Sequence, residues 1–231
     1  MDIMSCASTR SSPLLDLDHK FLLERANIPL ETIVGCSNWV IVFILEIARL
    51  DRWKKEADKA HRLSIIELTN RANQIKRLLG DKLAEIENEP LFKNSLEHPS
   101  GIVSEHTTIN KLYALSAITY LHVVVSGAYP ELPEIRESVS RTIVIFQTLK
   151  KATLLRNLVW PFCISGCLAL EGQYAFFRDL MSAAEVTEST VGTCLDALKI
   201  MEECWETRKA CSYNCDWVYI MNKWGHPVLL L

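Results

Sequence analysis

The stretch that decides the fold reads Trp160-Pro161-Phe162-Cys163-Ile164-Ser165-Gly166-Cys167-Leu168-Ala169. It is followed by Trp205, Asp216-Trp217 and Trp224-Gly225 before an apolar end at Leu231, so four of the six tryptophans fall in this last third. Pro161 suits the first turn of a helix, where its missing N–H costs nothing. Trp160, just before it, is biased to an extended conformation. Gly166 inside the helix costs about 1 kcal/mol relative to alanine, so a second helix pressed against it is the simplest reason for it to be there. Asp216 is placed to cap a short helix over Trp217-Val218-Tyr219-Ile220-Met221, and Gly225 to close it. Rings at such spacings hold a helical module together. Trp160, Gly166, Trp205 and Trp217 are therefore read as structural anchors.

The same helical reading extends upstream. Glu31 to Ala60 runs apolar through Trp39-Val40-Ile41-Val42-Phe43-Ile44-Leu45, then turns amphipathic with Glu46, Arg49, Lys54 and Lys55. Ser64-Ile65-Ile66-Glu67 fits a capping box, and Leu68, Ala72, Ile75, Leu79, Leu83 and Ile86 follow at spacings of three and four. Ile109 to about Val125 is nearly all apolar and should be covered on most sides, with Gly127 and Pro130 ending it. Leu132, Ile135, Val139, Ile143, Phe146 and Leu149 make a one-sided stripe. Val191, Cys194, Leu195, Leu198 and Trp205 line one face of a later helix. No strand-like alternation of useful length appears. The expectation is an all-α fold of packed, mostly antiparallel helices in one domain over 14–231. Residues 1–13, rich in Ser and Thr, are expected to form a flexible tail, with a short helix from Leu14 to about Ala26. Glu89 to Gly101, with Pro90 and Pro99, reads as the long connection.

Composition narrows the function classes. With 231 residues, 49% hydrophobic and 23% charged, the chain is an ordinary globular protein. A formal charge of −3 argues against a whole-domain nucleic-acid surface. The basic run Lys54-Lys55, Lys59, His61 and Arg62, and its echo at Lys76, Arg77 and Lys82, is interleaved with Glu56, Asp58, Asp81 and Glu85 and reads as a solvated face. No apolar run reaches the roughly 20 residues of a membrane span. The eight cysteines mostly sit in apolar helical patterns, as Cys36, Cys163, Cys167, Cys194 and Cys204 do, where a free thiol behaves as a small core residue. A reducing compartment follows.

Candidate chemistry is sparse. Cys163-x3-Cys167 and Cys211-x3-Cys215 lack the close pairing of zinc sites. The chain has no C-x2-C pair and cannot supply a six-cysteine binuclear zinc cluster. His122 sits in an apolar helix as a core histidine, and His226 in a loop. Glu202, Glu203 and Glu206 read as a solvated face beside Trp205, and Glu171, Asp179 and Glu202 are not expected to converge. Nucleotide-binding glycine loops and a nucleophile elbow are absent. No catalytic, cofactor-binding or metal residue is assigned, and no enzyme is expected.

The order of the landmarks resembles the fungal-specific transcription factor domain, the all-α region that follows binuclear zinc-cluster DNA readers. Trp160-Pro161, Gly166-Cys167 and Ala169 match W-P-x-x-x-x-G-C-x-A. Asp216-Trp217, Met221, Gly225 and Leu229-Leu230 match D-W-x-x-x-M-x-x-x-G-x-x-x-L-L. Tyr120-Leu121-His122, Gly35-Cys36, Ile44-Leu45-Glu46-Ile47-Ala48-Arg49-Leu50 and Arg178 are similar to further family features. The resemblance implies a nuclear regulator of transcription by RNA polymerase II, acting through coregulator proteins or a small-molecule effector, with a homodimer as a further option. It needs no cofactor in this chain, and no direct nucleic-acid or membrane contact is expected from these residues. The zinc cluster and its basic linker lie outside this sequence, so the chain reads as a fragment, a truncated product or a paralogue without a DNA reader. A stand-alone cytosolic scaffold or adaptor is the alternative.

Overall fold

A computed structural model describes residues 2–10, 35–88, 100–184, 192–210 and 215–230. Its elements are helices throughout: α1 (Asp2–Thr9), α2 (Asn38–Lys59), α3 (Ile65–Asn88), α4 (Ser100–Ser126), α5 (Pro133–Phe146), α6 (Val159–Cys167), α7 (Tyr174–Ala183), α8 (Gly192–Ala210) and α9 (Trp217–Trp224). Short 3-10 turns precede α6 and α7. The expected helix over Leu14–Ala26 lies outside the described residues.

Helix α4 is central because almost every side chain from Ile109 to Val124 is apolar or small, leaving no face for water. It touches α2, α3, α5 and α6. Small hydroxyls let it approach closely: Ser116 Oγ lies 3.0 Å from Ser165 Oγ, and the Thr119 hydroxyl donates to Ser138 Oγ at 2.9 Å. The helix starts at Ser100, nine residues before its apolar stretch, so Gly101 is helical and not part of the connection. Local chain flexibility gave way there to continuation of a strongly helical segment.

Helix α6 is buried at every position. Trp160 stacks on Tyr113 (centroids 5.9 Å apart) and meets Tyr120 edge-on, and Tyr120 meets Trp217 edge-on. One aromatic chain thus ties α4, α6 and α9. Trp160 is the second residue of α6, not an extended residue before it; ring packing overrides the local bias that Pro161 imposes. The expected partner of Gly166 is α8. A Cβ on Gly166 would sit 2.1 Å from Met201 Cε and 2.7 Å from its sulfur. The indole N–H of Trp205 donates to the Gly166 carbonyl at 2.8 Å. Trp205 also stacks on Tyr174 at 4.1 Å.

The buried face of α8 is Cys194, Ala197, Ile200, Met201, Cys204 and Trp205. Leu195 and Leu198, expected on that face, are only half-buried. The small Ala197 and Cys204 allow α6 to come close, and larger leucines are left at the margin. At α9 the Asp216 carboxylate accepts from the Tyr219 N–H at 2.9 Å, and Gly225 closes the helix with φ +77°.

The largest departure from expectation is at the amino terminus. Residues 2–9 are helical, with Met4, Ala7 and Ser8 fully buried against α2 and α9. The indole of Trp217 donates to the Ser8 carbonyl at 2.9 Å, and the Leu230 N–H donates to Ser8 Oγ. Ser8, one of the serines that suggested a loose tail, is a partner for the far end of the chain. The capping box at α3 is half-formed: Ser64 Oγ accepts from the Glu67 N–H, while the Glu67 carboxylate takes hydrogen bonds from Arg71 instead.

Candidate functional site

Helix α2 is apolar on more than one side. Val40, Ile41, Ile44, Leu45, Ile47 and Ala48 enter the core. Trp39, Val42 and Phe43 occupy another face at spacings of three and four and remain half-exposed. Opposite them stand Ile75 and Leu78 of α3. The two faces enclose an open groove of about 710 Å³, completed by Asn38, Glu46, Arg49, Leu50, Arg71 and Gln74. Trp39 and Phe43 meet edge-on at 6.2 Å.

The charges at the rim are matched within the protein. Arg49 donates to Glu46 at 3.1 Å. Arg71 bonds Glu67 and lies over the Trp53 ring, 4.3 Å from its centroid. The sequence held the signal for this groove in the seven-residue apolar run Trp39–Leu45. A helix apolar on two faces has a second surface to cover.

On its other side α2 carries a buried ionic latch. Arg10 donates twice to Asp51, at 3.0 and 2.6 Å, and once to Asp216 at 2.5 Å. Lys55 donates to Asp51 at 2.8 Å and to the Arg10 carbonyl at 2.9 Å. The Asp51 side chain is only 2% exposed. Burial pushes its carboxyl up, but the hydrogen bonds and charges of Arg10 and Lys55 outweigh this and hold it below the usual carboxylate range. Burial opposes the charged form of Arg10 as well, yet Asp51 and Asp216 raise its pKa, so it stays a cation. Lys54 of the basic run donates to the Val124 and Val125 carbonyls, closing the end of α4. Burial lowers its pKa first, and Arg10 adds to this.

The core cysteines Cys36, Cys163, Cys167, Cys194, Cys204 and Cys215 are fully buried. Cys163 and Cys167 lie 3.9 Å apart, and hydrogen bonds continue to Cys204 and Cys215. Burial lifts Cys167 and Cys204 well above the usual thiol value. Such thiols are poor nucleophiles. Cys211 lies outside the described residues. Among the described residues no group of three or more His, Cys, Asp or Glu could hold a metal ion, and no helix is long and apolar enough to cross a membrane.

His122 is half-buried between Lys76 and the carboxylates of Glu134 and Glu137. Burial, then Lys76, lowers its pKa. His226 stacks on Trp224 in the loop after α9. Glu202 pairs with Arg178, Glu203 with Lys223 and the Trp224 indole, and Glu206 with Lys209. Glu171 and Asp179 are exposed. None of these carboxylates lines the groove.

An all-α module with an aromatic core and an apolar groove is what fold and site define together. The chain belongs to the fungal specific transcription factor domain family, whose model matches residues 1–231. Its relatives are transcription regulators. It is 36% identical over 99% of its length to the trichothecene biosynthesis transcription regulator TRI10 of Trichoderma arundinaceum, and 33% identical over 99% to TRI10 of Fusarium sporotrichioides. It is 32% identical over its whole length to the ustiloxin B cluster transcription factor ustR of Aspergillus flavus. The chain spans 51%, 51% and 41% of these proteins, about half the length of the relatives it matches. No solved structure matches it.

Proposed function

We propose that this chain is the regulatory region of a nuclear regulator that controls RNA polymerase II transcription of a set of biosynthetic genes, through an effector or coregulator bound in the α2–α3 groove. DNA is read by residues other than these. The observation that carries the reading is the groove itself, a half-exposed apolar surface on a helix whose other apolar residues enter the core. The names of the relatives support the biosynthetic setting, since two regulate trichothecene biosynthesis and one serves the ustiloxin B cluster. A bound molecule would act by favouring one of two conformations through its differential affinity. Helix α2 is suited to this because it carries the groove on one side and the Arg10 latch on the other.

The test is transcript profiling in the organism of origin after replacing Leu78 by Glu at the native locus. The expected result is altered transcription of one linked set of genes at unchanged protein level. An unchanged profile in both this strain and a deletion strain overturns the regulatory reading and favours the scaffold alternative.

A further inference from the structure

A second depression lies where the end of α3 meets the seam between α4 and α5. Lys111 and Leu115 stand four apart on α4, and Arg141 and Ile145 four apart on α5. At that spacing each helix turns one cation and one aliphatic side chain to the same side. Leu83 of α3 completes an apolar floor, and Val144 beside it is 57% exposed. The notch encloses about 160 Å³. That is below the roughly 300–1,000 Å³ of small-molecule sites and suits one branched side chain presented by a larger partner. From Leu115 the seam runs back along α4 to Glu105, about 15 Å, the length of about five residues of extended chain. A shallow hollow at that end carries Lys150.

The charges of the seam differ from those of the α2–α3 groove, where both arginines are matched. The chain as a whole has a formal charge of −3. Along the seam Lys111, Arg141 and Lys150 have no ion-pair partner among the described residues, while Lys151 is matched by Glu105 at 3.5 Å. Glu87 also lines the notch, so its described lining holds two cations to one acid. Unmatched cations around an aliphatic notch complement carboxylates that flank an aliphatic side chain. Single-stranded nucleic acid docks on aromatic platforms, and the described lining of the seam contains no ring. We propose that the α4–α5 seam is a docking surface for a short acidic segment of a protein partner. One leucine-like side chain of the segment enters the notch, and its carboxylates meet Lys111, Arg141 and Lys150. The surface is separate from the α2–α3 groove and does not depend on the regulatory reading.

The experiment is fluorescence anisotropy of the full chain with a short labelled peptide in which leucines are flanked by aspartates. One control peptide carries asparagine for aspartate, and a second carries alanine for leucine. Both controls are expected to bind at least about tenfold more weakly, a difference of about 1.4 kcal/mol. Raising the salt from about 0.1 M to about 1 M cuts the screening length from about 10 Å to about 3 Å. This is expected to weaken the acidic peptide and to leave the asparagine peptide unchanged. Arg141 and Val144 are exposed, so Arg141→Glu and Val144→Asp leave the melting temperature unchanged, while each weakens the acidic peptide by about tenfold or more. Leu78→Glu, in the other groove, leaves its binding as it is. Equal binding of the asparagine peptide overturns the proposal, as do acidic-peptide binding that ignores Arg141→Glu or Val144→Asp and a failure of the acidic peptide to bind. Displacement of the peptide at lower concentration by an oligonucleotide assigns the seam to nucleic acid, and by isocaproate to a free carboxylate. Either also overturns the proposal.

Discussion

Helices α6 and α3 both pack on α4, and they do so in opposite ways. Every residue of α6 is buried, its tryptophan is sandwiched by tyrosines, and its glycine is filled by the tip of Met201. In α3 only Leu68, Ala72, Leu79 and Leu83 are buried, Ile66 is 77% exposed and Leu78 43%. The α6 side has no room for a ligand without losing contacts that hold the domain together. The α3 side leaves apolar surface unspent after the helix has docked. Buried contacts are concentrated on one side of α4 and exposed apolar surface on the other, with α2 bordering both the groove and the amino-terminal latch.

The sharpest way to break this contrast is to truncate a ring on each side. Trp160→Ala is expected to lower the unfolding free energy by about 3–5 kcal/mol, whereas Trp39→Ala, half-exposed in the groove, costs less than about 2 kcal/mol. Equal losses in urea melts would end the distinction. Asp51→Asn comes next, at about 3 kcal/mol, because it leaves the largely buried Arg10 guanidinium without the carboxylate that takes two of its hydrogen bonds. The same residue predicts an acid dependence. A carboxyl held below its unfolded pKa of about 3.9 contributes fully above that value and loses its contribution as pH falls through the lower folded value. The parent should therefore lose stability on acidification below about pH 4, and Asp51→Asn should lose less over that window.

Gly166→Ala sharpens the contrast on the tight side. The added methyl collides with Met201 and should cost about 1–3 kcal/mol despite the better helix propensity. Met201→Ala in the same chain should make the Gly166→Ala step close to neutral, which a double-mutant cycle of melts would read. The smallest effect belongs to the open side: Leu78→Glu should leave unfolding within about 0.5 kcal/mol of the parent.

Much of the tight side could be read from residue spacing. Asp216 and Gly225 announced the ends of α9, and Gly166 announced a close neighbour, because these depend on local backbone geometry that particular residues serve. The amino-terminal helix could not be read this way. An eight-residue helix, with Met4, Ala7 and Ser8 buried among its described side chains, gives too short a period, and Ser8 counts as a loop former until Trp217 and Leu230 are beside it. Leu195 and Leu198 misled for a related reason: hydrophobicity marks a face only roughly, and the closeness of α6 favours the smaller Ala197 and Cys204. The groove was half visible. The run Trp39–Leu45 was plainly too apolar for a one-sided helix, but the part of α3 that faces it depends on how the helices pack.

The hydrogen bond from Trp217 to the Ser8 carbonyl joins residues 209 positions apart. On the ribosome α1 is made long before its anchor. At about 5–20 residues per second, α1 waits roughly 10–40 s before residue 217 exists. During that time Asp51 can already hold Arg10 to α2, but Asp216 and Trp217 cannot yet close over it. The final fastening of the amino terminus thus reports that synthesis has reached α9, and a nascent chain arrested short of Asp216 carries an α1 that remains open to protease.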